Sequence, residues 1–84
     1  MISISHINIG QYITAYDTTP EGKKTKVYYL CSEQNEFIQL GVIKWYSAWR
    51  QYCFFPENER VFNKTCLKDI MYFLEKLNRK EVSE

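Results

Sequence analysis

The segment Leu40–Pro56, LGVIKWYSAWRQYCFFP, limits what this chain can fold into more than any other stretch. It carries both tryptophans, Trp45 and Trp49, with Tyr46, Tyr52, Phe54, Phe55 and Arg50. Its β-branched and aromatic content reads as two strands, over 37–46 and 49–55, joined at Ser47-Ala48. Pro56 ends the second strand because it has no N–H for the ladder. Ser-Ala is a poor type I′ pair, which leaves room for a loop wider than two residues. Loops of two or four residues centred there keep the same pairs: Trp45 opposite Arg50, Lys44 opposite Gln51, Ile43 opposite Tyr52, Val42 opposite Cys53. Side chains alternate between the two faces of a strand. One face then carries Leu40, Val42, Lys44, Tyr46, Trp49, Gln51, Cys53 and Phe55. The other carries Phe37, Gly41, Ile43, Trp45, Arg50, Tyr52 and Phe54. A half-solvated hairpin has one apolar and one hydrophilic face. Here neither face is polar, so both require cover.

One cover is written downstream. Leu67, Ile70, Met71, Leu74 and Leu77 follow the i, i+3, i+4, i+7 spacing of an amphipathic helix, widened by Cys66 and Phe73. Asn63 or Thr65 is its N-cap, and it runs to about Asn78, with EVSE fraying beyond. Lys76, Arg79 and Lys80 suit the negative end of its dipole. A single stripe shelters a single sheet face. The second face is left for the N-terminal strands, a second copy or a ligand.

Upstream, ISISHINI and QYITAY read as strands separated by Gly10. The apolar parity of the first changes near His6, which predicts a bulge or break there. Residues 17–25, DTTPEGKKT, collect turn formers and lysines into an exposed loop. VYYLC, from Val27, is a further strand, and Ser32–Asn35 turns into the hairpin. The whole is one α+β domain: a three- to five-stranded antiparallel sheet with one C-terminal helix packed across one face. Its N-terminal strands fall in 1–22, the sheet with its aromatic hairpin in 23–56, and the helix in 63–78.

Composition narrows the functional classes. Hydrophobic residues make up 45% of the 84, far too many for a disordered chain. A formal charge of +1 argues against wrapping of duplex nucleic acid or anchoring to an anionic membrane. No apolar run approaches the ~20 residues of a membrane span, and the first residues lack the layout of a signal peptide. Cys31, Cys53 and Cys66 are odd in number with no CxxC, which points to a reducing cytosol and to small buried hydrophobes. With His6 they make a nominal Cys₃His set, but no two stand at zinc-knuckle spacing.

Chemistry-bearing residues are sparse. There is no phosphate-cradling glycine motif, no Ser-His-Asp or HExxH pattern, and no cofactor signature, so a non-enzymatic protein is expected. The sharper signal is aromatic. Trp45, Trp49 and Tyr52 offer ring faces that stack on bases, while Arg50 and Lys44 offer donors for an anion. The same residue types make protein hot spots, and the same pattern suits a core or a homo-oligomer interface.

LGVIKWYSAWRQYCFFP, followed by VFNKTCLKDIMYFLEKLN, resembles a family of small uncharacterised proteins of bacteriophages and mobile elements. Their pattern is LGxIxWYxxWRQYxFxP, then Val-Phe and a Cys-Leu-x-x-Ile helix, matched here over Leu40–Asn78. Those relatives carry Gly-Pro where this chain has Ser47-Ala48. The resemblance implies a phage-type accessory protein of the bacterial cytoplasm that binds and disables a host factor or sequesters a small signalling molecule. It carries over no site residues. The combined expectation is a binding module, homodimeric, whose aromatic sheet face engages a host protein. The alternative is a nucleotide or single-stranded nucleic acid held by Trp45, Trp49, Arg50, Tyr52 and Lys44.

Overall fold

The computed structural model describes residues 6–35 and 38–83, with side chains through Arg79. Five strands, β1 (His6–Asn8), β2 (Ile13–Asp17), β3 (Val27–Ser32), β4 (Gln39–Tyr46) and β5 (Gln51–Pro56), precede one helix, α1 (Lys64–Ser83). The strands form one antiparallel sheet in sequence order, β1-β2-β3-β4-β5. This is the expected α+β architecture. From His6 to Asn8 the expected bulge does not occur, since His6, Ile7 and Asn8 pair in unbroken register with Tyr16, Ala15 and Thr14; the residues before His6, and Phe37, lie outside the described residues.

The pairing fixes which side chains share a face. Ala15, Leu30 and Gly41 stand in one row across the sheet, and Tyr28, Ile43 and Phe54 in the next. α1 lies on this side. Its Ile70, Phe73 and Leu77 join Ile13, Ala15, Tyr28, Leu30, Ile43 and Tyr52 in the buried core. Phe73 meets Tyr28 edge-on at 5.0 Å, a geometry that suits the ring quadrupoles. Phe62, in the loop before the helix, meets Phe54 in the same way at 5.5 Å.

The helix begins where Asn63 Oδ1 accepts the Cys66 N–H at 2.8 Å, so Asn63 is the N-cap. It continues to Ser83 rather than stopping near Asn78. Asn78 is therefore an interior residue. Its side-chain amide turns to the outer edge of β5, where Oδ1 accepts the Tyr52 N–H at 2.7 Å and Nδ2 donates to the Tyr52 carbonyl at 3.4 Å. One side chain thus imitates a neighbouring strand and blunts an edge otherwise open to pairing with another chain. Asn78→Ala is expected to cost about 1–3 kcal/mol, because a buried backbone N–H loses its partner. Urea unfolding measures it, and a change under a few tenths of a kcal/mol would refute the edge-locking role.

The hairpin differs from the sequence reading in register. Trp45 pairs with Tyr52, Lys44 with Cys53, Ile43 with Phe54 and Val42 with Phe55, a slide of two residues. The loop is Ser47–Arg50, closed by the Arg50 N–H donating to the Tyr46 carbonyl at 2.8 Å, with Arg50 at φ 56°. Arg50 therefore spends its backbone on the turn and pairs with no strand residue across the hairpin. A slide of two preserves the alternation, so the described residues that stay in β4 and β5 keep the faces read from sequence, while Trp49 and Arg50 pass into the turn. Leu40 is the exception. The register shifts between Leu30 and Cys31, and Leu40 packs against the core instead of the opposite face.

Candidate functional site

The N-terminal strands lengthen the sheet edge to edge and leave its second face uncovered by any described element. His6, Tyr16, Tyr29, Val42 and Phe55 form a row across all five strands on that side. The next rows hold Val27, Lys44 and Cys53, then Tyr46 and Gln51. One end of the face is closed. There Thr14 and Cys31 are buried, and Thr14 donates its hydroxyl to the Glu33 carboxylate in the loop after β3. The other end is open: Tyr29 is 41% exposed, Tyr46 37% and Trp49 66%.

The exposed rings are organised. Tyr46 stands edge-on to Trp49 at 5.1 Å and to Phe55 at 5.8 Å. The Lys44 ammonium lies 4.9 Å from the Phe55 ring centre, a cation–π contact worth about 0.5–1 kcal/mol at an exposed site. His6 caps the far end of the row, its ring 5.8 Å from that of Tyr16. The result is an aromatic strip with one cation on it.

The five candidate residues do not converge on a single site. Lys44 belongs to the open face, and Trp49 stands in the turn at its end beside Tyr46. Trp45 and Tyr52 point to the helix side and meet edge-on at 5.4 Å. Tyr52 is 2% exposed, and its hydroxyl accepts the Lys26 N–H at 2.9 Å, so no ring face is presented to a ligand. Arg50 is exposed in the turn. Tyr46 and Phe55 shared the parity of Lys44 and were legible as members of this surface. Tyr16 and Tyr29 were not, because their place depends on how β2 and β3 align with the hairpin.

The titration shifts belong to the β2–β3 connection. Asp17 sits below the usual carboxylate range, chiefly because the Thr19 hydroxyl bonds its Oδ1 at 2.6 Å. Burial opposes this, while the Thr19 N–H and Lys26 reinforce it. Tyr28 is raised above the ordinary phenol by burial, and by the Asp17 charge. Asp17 braces a turn in which Thr19 Oγ1 also accepts the Val27 N–H at 2.9 Å. None of the three cysteines forms a disulfide, and they are divided: Cys31 and Cys53 fall on the open face by register, while Cys66 packs against the core on the helix side.

Comparison with protein-family models, with curated proteins and with solved structures gave no match for this chain. No described helix is long and apolar enough to cross a membrane.

Proposed function

We propose that the protein is a non-enzymatic binding module that engages a protein partner through its open aromatic face. The observation that carries this reading is the row Tyr16–Tyr29–Val42–Phe55, continued by Tyr46 and Trp49, on a face that no described element covers. Tyr and Trp dominate binding hot spots because they combine a large rigid apolar area with a polar tip. Size chooses among partners. Five strands at ~4.8 Å spacing and roughly six residues at ~3.3 Å give about 480 Å² of flat face. A stable interface takes ~800 Å² from each partner. Two flat copies meeting here would form only a weak homodimer, so a differently shaped protein reaching around the Trp49 turn fits better. The phage-type resemblance makes that partner a bacterial host protein met in the host cytoplasm.

The test is affinity capture from bacterial lysate with the parent chain and with Tyr29→Asp/Tyr46→Asp, whose fold is checked by far-UV circular dichroism. A captured host protein should be lost at least tenfold in the variant. A capture profile identical for both chains would sink the reading, and light scattering shows whether a second copy takes the face instead.

The nucleotide reading keeps a narrower basis in Trp49, exposed at the turn next to Arg50, with Lys44 over Phe55 on the same face. It predicts quenching of tryptophan fluorescence by nucleotides or oligonucleotides at low salt, removed by Trp49→Ala/Arg50→Ala. No quenching in the parent chain would end it.

A further inference from the structure

The charges around the open aromatic face are distributed unevenly. The register sets Val27 opposite Lys44 and Tyr46 opposite Gln51, so the loop 18–26 and the turn 47–50 leave the sheet at the same end. Lys44 stands on the face itself, Arg50 in the turn and Lys23 and Lys24 in the loop, all exposed. Of the acids at this end, Asp17 is held by the Thr19 hydroxyl and by the Lys26 ammonium at 3.7 Å, which leaves Glu21. No carboxylate pairs with Lys23, Lys24, Lys44 or Arg50 among the described residues. The opposite end is acidic. Glu33 accepts the Thr14 hydroxyl there, and Glu57 and Glu59 follow β5, beside an Arg60 that donates to the Gln39 carbonyl at 2.8 Å. The face therefore has a charge polarity that the near-neutral chain, at +1, conceals.

Lys44 decides what can cover the rings. Its cross-strand neighbours are Val27 and Cys53, and its ammonium rests 4.9 Å from the centre of the Phe55 ring. A partner that covers Phe55 must cover this ammonium too. An apolar or basic partner would strip water from a charge with no counter-charge, which is strongly unfavourable. A carboxylate seated there satisfies the charge inside a rim of apolar contacts that excludes water, the layout of a binding hot spot. The cations of the two loops draw an acidic surface to this end, and Glu33 repels it from the other.

We propose, on the reading of the open face as a protein-docking surface, that its partner is an acidic protein segment. Apolar side chains of that segment cover Tyr29, Tyr46 and Phe55, and its carboxylates face Lys44 and the cations of the two loops. A protein fits better than a strand of nucleic acid. The edge-on contacts among Tyr46, Trp49 and Phe55 spend ring faces on one another, whereas stacked bases need those faces free.

The probe is a dye-labelled, end-blocked Glu-Leu-Glu-Phe-Glu-Leu-Glu titrated with the intact chain by fluorescence anisotropy, beside the same peptide with every Glu changed to Gln or to Lys. The Glu peptide is expected to bind saturably, about tenfold tighter than the Gln form, with the Lys form weakest. Its affinity should fall on going from about 0.01 M to about 0.15 M salt. Lys44→Gln and Lys23→Glu/Lys24→Glu should each weaken it at least threefold. Lys64→Glu/Lys68→Glu, an equal charge change on the helix, should leave it within about twofold. Amide shifts of the parent chain, which need no variant, should centre on Tyr29, Lys44 and Tyr46. No saturable binding, or an equal loss in the helix variant, would overturn the proposal. So would an oligo-dT strand that binds the same surface more tightly, which would make the ligand a nucleic acid. Equal affinity for the three peptides with shifts still at Tyr29 and Tyr46 would remove the acidic preference and leave the docking surface standing. Shifts centred on the helix would remove both.

Discussion

Replacing Ile43 by alanine is expected to cost about 3 kcal/mol and to lower the midpoint of thermal unfolding by roughly 12–25 °C. Ile43 is completely buried near the middle of β4, between Tyr28 and Phe54 in one row beneath the helix. Truncation removes the transfer energy of three carbons and leaves a cavity that ring neighbours on a fixed sheet cannot collapse into. In a domain this small the loss is a large share of the total stability. Val61, 91% exposed, is the matched control, and Val61→Ala should stay within about 0.5 kcal/mol of the parent. Circular dichroism against temperature and urea checks both. Equal midpoints for the two variants would show that the core is not centred on Ile43.

Gly41→Ala should be nearly as damaging, for the opposite reason. Gly41 stands in the row of Leu30, but the Phe54 ring lies directly over it. A Cβ there would come 2.6 Å from the Phe55 carbonyl oxygen and 2.6 Å from the nearest Phe54 ring carbon. The ring can turn, at the cost of its edge-on contact with Phe62. The carbonyl cannot move without pulling β5 from its partner. Overpacking of this kind costs about 1–3 kcal/mol, and a clash with backbone belongs at the upper end. Urea unfolding measures the loss. A variant as stable as the parent would mean that the two strands are farther apart at this point.

The order of elements was legible because each signal was local. The stripe of Ile70, Phe73 and Leu77 has one period, the strands another, and DTTPEGKKT could only be a turn. The pairing inside the hairpin was not legible. Ser47-Ala48 looked like the centre of the loop, whereas the chain closes one residue later through Arg50 in a left-handed conformation, which few non-glycine residues adopt. The inference about two apolar faces survived this because a slide of two cannot exchange them. The candidate site fared differently. Parity alone separated Lys44 and Trp49 from Trp45 and Tyr52, yet their aromatic chemistry invited reading them together. The Asn78 clamp had no sequence signature at all. It follows from the path the helix takes over the sheet, which is decided by packing between distant residues.

The sheet's sequential order has a consequence for how the chain is made. Every strand lies beside its predecessor, so loop closures are short and the meander can zip up as it leaves the ribosome. The helix is the last element, and at 5–20 residues per second its twenty residues take about one to four seconds to synthesise. During that interval Ile43, Phe54 and Leu30 have no roof, and the nascent ribbon is adhesive on both sides. Any translational pause that holds α1 back from the sheet would prolong that window.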